Sequence, residues 1–259
     1  TDMDDAMVLE ALCRLGPMAQ EYHRRTKSFG GAIREPLPFY MFKKSADYGR
    51  AGGPKGSAGV FKFFGGRKGV LMAVVSKPSH WSVVQHEAFH QFIYYALVKH
   101  NPPVWFNEGY AEYFYCVEYK PRDKTLRFDD KHDMRWSYLK SHKDKIVPTK
   151  DFIKLTHRQY MRNASLCYAQ GWAFATFLKG VTKNERYQQI PEIFFNEMQR
   201  GFRAREAQGG RGFGREQDPI TQQALEKAFD GVDLDELHED FVKALKRWKV
   251  RDLKPEPAS

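Results

Sequence analysis

Apolar residues return at helical intervals over residues 3–27. Met7, Leu9, Ala11, Leu12, Leu15 and Met18 predict an amphipathic helix, with Gly16-Pro17 as the point where it breaks or kinks. Gly30-Gly31 then punctuates the chain, and the period changes. Residues 38–42 read as a strand and 43–53 as a helical turn or loop. Residues 58–64 and 69–75 read as two strands joined by Gly65-Gly66-Arg67-Lys68, a hairpin. Next, Val83, Val84, Ala88, Phe89, Phe92, Ile93, Tyr95, Ala96 and Leu97 predict a helix buried on most of its sides. Ser79 or Ser82 can cap its start, Ser82 has capping-box spacing to Gln85, and Asn101-Pro102-Pro103 ends it. A second helix runs from near Val104 to about Val117. Residues 121–148 are charged and turn-rich, with room for a short strand at 125–128.

Beyond that segment the pattern is helical. One helix opens at Tyr168 and runs to about Leu178, and another spans 190–199. Two amphipathic helices over 220–229 and 234–250 follow, the last with Asp233 as N-cap. Residues 201–217, with Arg203, Arg205, Arg211 and Arg215 among repeated glycines, read as a solvated basic loop. The fold class expected is α+β: a small N-terminal sheet beside a buried helix, then a mainly helical C-terminal part. A single domain over 1–259 suits the length, with the helix and sheet in about 1–80 and the rest in about 81–259. Residues 71–75 are the candidate sheet edge for an extended peptide, the alternative being an ordinary buried strand.

Composition narrows the classes. No apolar run is long enough for a membrane span. Three cysteines (Cys13, Cys116, Cys167) cannot all pair within one chain and lack zinc-knuckle spacing, so free buried thiols are expected. The net charge of +10 suits an anionic surface or substrate, yet no recognised nucleic-acid motif accompanies it. No signal peptide is visible and the chain starts with Thr. A removed leader is one reading of that start, and it favours a secreted or cell-envelope location over a cytoplasmic one.

The chemistry concentrates in Gln85-His86-Glu87-Ala88-Phe89-His90 and Asn107-Glu108-Gly109-Tyr110-Ala111-Glu112. Residues i and i+4 share a helix face, so His86 and His90 can offer two imidazoles to one metal ion, with Glu87 beside them as general base. Glu108 on the following helix is the candidate third ligand, leaving a fourth position open for water on Zn2+. Glu112, one turn on, can accept a hydrogen bond from a ligating imidazole. The competing reading makes His86 and His90 satisfied core histidines and Glu87 a surface charge. His132, His142 and His157 fall outside any ligand spacing and read as surface histidines.

His86-Glu87-x-x-His90 followed by Trp105-Phe106-Asn107-Glu108-Gly109-Tyr110-Ala111-Glu112-Tyr113-Phe114 resembles the gluzincin branch of zinc metallopeptidases, closest to a little-characterised bacterial group. The resemblance is dense over the two motif helices and weaker from about Pro38 to Leu245. The gap from His90 to Glu108 is a residue or two shorter than in better-known members. The resemblance implies a zincin-like fold, zinc held by His86, His90 and Glu108, and Glu112 orienting the first histidine. It also places a Y-x-Q helix after the zinc helices, here Tyr168-Ala169-Gln170, whose tyrosine suits an oxyanion donor, with Tyr160 or His157 as alternatives.

The reading that follows is a zinc peptidase acting on a peptide or protein. The G-x-M-E-N segment of the related large aminopeptidases is absent ahead of the zinc helix, which favours an endopeptidase, or a peptidase of unusual specificity, over an aminopeptidase. The alternatives are a non-catalytic zinc-containing module whose basic surface binds a polyanion or cell envelope, and hydrolysis of a non-peptide amide or ester.

Overall fold

The computed structural model describes residues 3–26, 33, 36–64, 68–77, 79–115, 117–120, 122, 125–128, 132–210 and 216–248. In chain order the elements are α1 (Asp5–Arg25), β1 (Phe39–Phe42), α2 (Ser45–Arg50), β2 (Gly59–Phe64), β3 (Lys68–Val74), α3 (His80–Ala96), α4 (Val104–Tyr113), β4 (Val117–Lys120) and β5 (Thr125–Phe128). There follow α5 (Asp133–Ser141), α6 (Thr149–Phe152), α7 (His157–Arg162), α8 (Ala164–Thr176), a π-helical turn over Phe177–Val181, α9 (Glu185–Ala207), α10 (Pro219–Ala228) and α11 (Leu234–Arg247). The class is α+β, with a three-stranded mixed sheet and a two-stranded one. The chain divides into two compact units, 1–99 with 114–128 and 100–113 with 129–259. No helix among the described residues is long and apolar enough to cross a membrane.

In the first unit, Asp4 caps α1 by accepting from the Met7 amide, and His23, Arg24 and Arg25 fill its last turn, where the helix dipole favours cations. The helix continues past Pro17 rather than ending there. Its buried face includes Ala11, Met18 and Tyr22, whereas Leu9 and Leu12, both among the apolar positions that predict the helix, are exposed. The Tyr22 hydroxyl donates to the Gln85 carbonyl at 2.6 Å, fastening α1 to α3. Phe89 stacks on Phe114 and meets Tyr22 edge-on.

The sheet order is β1-β3-β2, with β1 parallel and β2 antiparallel to β3. This corrects the sheet-edge expectation: residues 71–74 form the central strand. Its amides are already used on both sides, Leu71 N–H by the Pro38 carbonyl at 3.1 Å and Val74 N–H by the Ala58 carbonyl at 2.8 Å. β3 is buried from Val70 to Val74, the continuous apolar run expected of a strand covered on both faces. α3 packs on this sheet beside Gly59, where a β-carbon would lie 2.9 Å from Val83 and 3.3 Å from Glu87.

α3 begins at His80, so Ser82 lies inside it and makes no capping box; Ser79 holds the cap position without a side-chain bond. The helix ends at Ala96, short of Asn101-Pro102-Pro103. Val98 and Lys99 adopt left-handed backbone (φ 56° and 61°), and their amides return to the Tyr95 and Tyr94 carbonyls at 3.1 and 2.9 Å, a Schellman closure. Such backbone costs a β-branched residue about 1–2 kcal/mol, a penalty the hydrogen bonds and buried flanks must offset.

In the second unit, α4 and α8 cross at Gly109 and Gly171. A β-carbon on Gly109 would sit 2.8 Å from the Gly171 carbonyl oxygen, and one on Gly171 would sit 3.2 Å from the Gly109 α-carbon. Only two glycines allow backbones this close. α4 ends at Tyr113 rather than near Val117, because the chain turns there into the β4–β5 hairpin. α8 starts at Ala164, a turn before Tyr168. Gln170 on α8 clasps the Val147 backbone from both sides, its amide donating to the carbonyl at 2.7 Å and its oxygen accepting from the N–H at 2.9 Å.

α9 runs from Glu185 through Pro191 to Ala207, so Gly201, Arg203 and Arg205 lie on a helix and not in a solvated loop. Arg205 forks onto Asp218, both contacts 2.6 Å, and Asp218 caps α10 through the Ile220 amide. Arg211 and Arg215 lie outside the described residues, as do Cys116 and the connection at 65–67. Cys167 is buried and Cys13 is partly exposed, and neither forms a disulfide.

Candidate metal centre

α3 sets His86 and His90 one turn apart, and both side chains are buried. Their Nε2 atoms are 3.1 Å apart and their rings meet edge to face. Two imidazole nitrogens this close either share a proton or turn both lone pairs toward one cation. Glu108, on the first half of α4, is buried as well. One ligand atom from each of His86, His90 and Glu108 falls within 4.8 Å of the others, so this buried group could bind a metal ion.

The donor set fits a divalent first-row ion. Two imidazoles and a carboxylate are ordinary zinc ligands. Ligand type alone does not separate zinc from its neighbours in the first transition row.

Glu87 points from the same turn of α3 and is half-buried. Its Oε2 accepts a hydrogen bond from the Phe61 backbone N–H at 2.7 Å. The register explains why that amide is available. Phe61 stands opposite Leu71, whose own N–H goes to β1, so the pair exchanges no ladder bonds and the Phe61 N–H points off the sheet. One carboxylate oxygen is thereby held by the strand.

Glu112 is no surface charge. It is 3% exposed, and Arg135 on α5 grips it with both arms, Nε at 2.7 Å and Nη2 at 3.0 Å. His132 Nε2 lies 2.9 Å from Glu112 Oε2, and His132 is 2% exposed, which overturns its reading as a surface histidine. Burial pulls the Arg135 guanidinium pKa down, but the Glu112 hydrogen bonds outweigh it and raise it above the ordinary arginine value. His142 stacks on Tyr138 at the end of α5, and His157 sits exposed at the start of α7.

Tyr168 is half-buried on α8. The Arg135 guanidinium lies over its ring, 5.0 Å from the centroid, and Tyr160 meets it edge-on at 5.4 Å. Tyr160 itself is fully buried, and its hydroxyl donates to the Cys167 carbonyl at 2.8 Å. Burial, reinforced by the Glu108 carboxylate, pushes its phenol pKa well above the ordinary tyrosine value. Its donor is spent, so it is no substitute for Tyr168.

The structure thus gathers His86, His90 and Glu108 into one group, and Glu112, Arg135, His132 and Tyr168 into a second. Arg135, His132 and the Phe61 amide are the participants that sequence reasoning missed. For Arg135 the signal was a buried-helix carboxylate needing a cation, with many candidates in a basic chain; for a backbone amide no sequence signal exists. Comparisons with protein-family models, with curated proteins and with solved structures return no match, so the chemistry of the site rests on its own residues.

Proposed function

We propose that the protein is a zinc-dependent peptidase, with His86, His90 and Glu108 as metal ligands, Glu87 as general base and an endopeptidase's preference for internal bonds. The observation that carries this reading is the three-residue group with its ligand atoms within 4.8 Å, beside a glutamate adjacent in sequence to a ligand. A zinc ion held there would supply Lewis acidity to an attacking water and to the scissile carbonyl. Glu87 takes the proton from that water and passes it to the leaving amine. The Phe61 N–H holds Oε2, which orients the carboxylate. Tyr168 donates to the oxyanion, and Arg135, lying on its ring and clasping Glu112, keeps it in place. The kinship proposed is with gluzincins, on the motif residues quoted above.

Zinc measured on the purified chain, together with cleavage of a peptide library with and without a chelator, tests this. One zinc per chain and chelator-sensitive cleavage are expected, and His90→Ala should lose both. Unchanged zinc in His90→Ala overturns the ligand set. Stoichiometric zinc with no cleavage of any peptide overturns the peptidase and leaves a zinc-containing binding module.

A further inference from the structure

Apart from the metal group, the second unit holds a cavity of about 600 Å3, formed where α5 and the short turn after it meet the end of α11. That volume is in the range of small-molecule sites. Its apolar wall includes Leu139, Ile146, Val242 and Leu245, and the rings of Trp136 and Trp248 stand 5.7 Å apart against it. Around these lie Lys140, Lys143, Lys246 and Arg247, all exposed, against one carboxylate, Asp144. Among the described residues none of the four cations is paired with a carboxylate. Trp248 is 8% exposed, and its indole N–H is buried with no hydrogen-bond partner among the described residues.

We propose that this cavity binds a monomeric amphipathic anion, a long-chain carboxylate, with its chain on the apolar wall and its head group against the lysines and Arg247. Four unneutralised cations around an apolar hollow complement that chemistry: the chain removes apolar wall from water while the head group meets an opposite charge. The chain's own C-terminal residues suit the site less well. Lys249, Arg251 and Lys254 outnumber Asp252 and Glu256 there, so that segment carries the same sign as the rim.

The tryptophans provide the readout. Dodecanoate below its micelle concentration should change the intrinsic tryptophan fluorescence saturably, at one molecule per chain and with micromolar affinity. Dodecyltrimethylammonium, of equal chain length and opposite charge, should bind at least tenfold more weakly. Lys143→Glu combined with Lys246→Glu should weaken dodecanoate at least tenfold without moving the melting temperature, whereas Lys183→Glu, remote from the cavity, should not. Raising the salt from 50 to 500 mM should also weaken it. Val242→Trp, which fills the hollow, should abolish binding with the lysines intact. Equal affinity for the two detergents, indifference to the charge reversals, or binding only at millimolar dodecanoate overturns the proposal. So does recruitment to phosphatidylglycerol vesicles without binding of monomeric dodecanoate, which would assign the cations to a lipid surface. Each measurement is independent of the metal and of peptide cleavage.

Discussion

The backbone N–H of Phe61 donates to Oε2 of Glu87 at 2.7 Å, so an edge strand holds the carboxylate that follows His86. A side chain tethered in this way can be altered with little effect on its position. Glu87→Gln keeps an acceptor for the Phe61 amide and leaves His86, His90 and Glu108 intact. Zinc content should stay at one per chain while peptide hydrolysis drops by orders of magnitude. Loss of metal in this variant would make Glu87 a ligand or a structural residue and remove it as the base.

Tyr168→Phe separates an oxyanion donor from a packing residue. The ring that Arg135 covers and Tyr160 abuts is retained, so stability and zinc content should hold. If the hydroxyl meets charge only in the transition state, kcat should fall about a hundred- to thousand-fold with KM little changed, the cost of one oxyanion donor in a hydrolase. Unchanged turnover with a stability loss of about 1 kcal/mol would be the signature of a structural hydroxyl and would exclude Tyr168 from the site.

Gly109→Ala tests the helix crossing that holds Glu108 in place. A β-carbon there would be 2.8 Å from the Gly171 carbonyl, a backbone atom that cannot rotate away. The α4 and α8 axes must part, and overpacking of this kind costs about 1–3 kcal/mol. Urea denaturation should show the loss. Zinc affinity should weaken with it, since Glu108 is the preceding residue.

Asp218 provides a pH signature distinct from the metal group. Burial would raise its carboxyl pKa, but the Arg205 fork and the Ile220 amide outweigh it, and the pKa lies below the ordinary aspartate value. A carboxylate with a depressed folded pKa contributes stability that is complete above the unfolded value of about 3.9 and is lost as pH falls through the folded one. Asp218→Asn keeps an N-cap acceptor for the Ile220 amide but loses the charge under the Arg205 fork, and should therefore destabilise the chain at pH 7 by about 1–2 kcal/mol. The difference from the parent should shrink as pH drops below about 4. A constant difference across that range would show that the pair contributes nothing through charge.

Cys167 makes a chemical prediction. Burial pushes its thiol up to about 11, so at pH 8 its thiolate fraction is about 0.1%. Iodoacetamide should label Cys167 in the folded chain only after denaturant is added, as peptide mapping would show. Labelling without denaturant at the rate of a free thiol would contradict the burial of α8 around it.

What the sequence determined by itself is what local periodicity dictates. Any helix carrying His86 and His90 four apart must set their side chains on one face, and β-carbon geometry does the rest. The hairpin of β2 and β3, the cap at Asp233 and the helices over 219–228 and 234–247 are legible for the same reason: their signals lie within a few residues. The tertiary structure decided whatever depends on distant partners. Strand order made β3 central, because a strand's neighbours are set by which apolar faces find each other and not by its own pattern. Glu112 took Arg135, 23 residues away, since a buried carboxylate accepts whichever cation the packing delivers. The run from 201 read as a loop by its glycines, yet α9 continues to Ala207, where Gly201 fits closely against Ile220 and Arg205 reaches Asp218. Glycine weakens a helix by about 1 kcal/mol, and close packing with a charged fork is enough to override that preference.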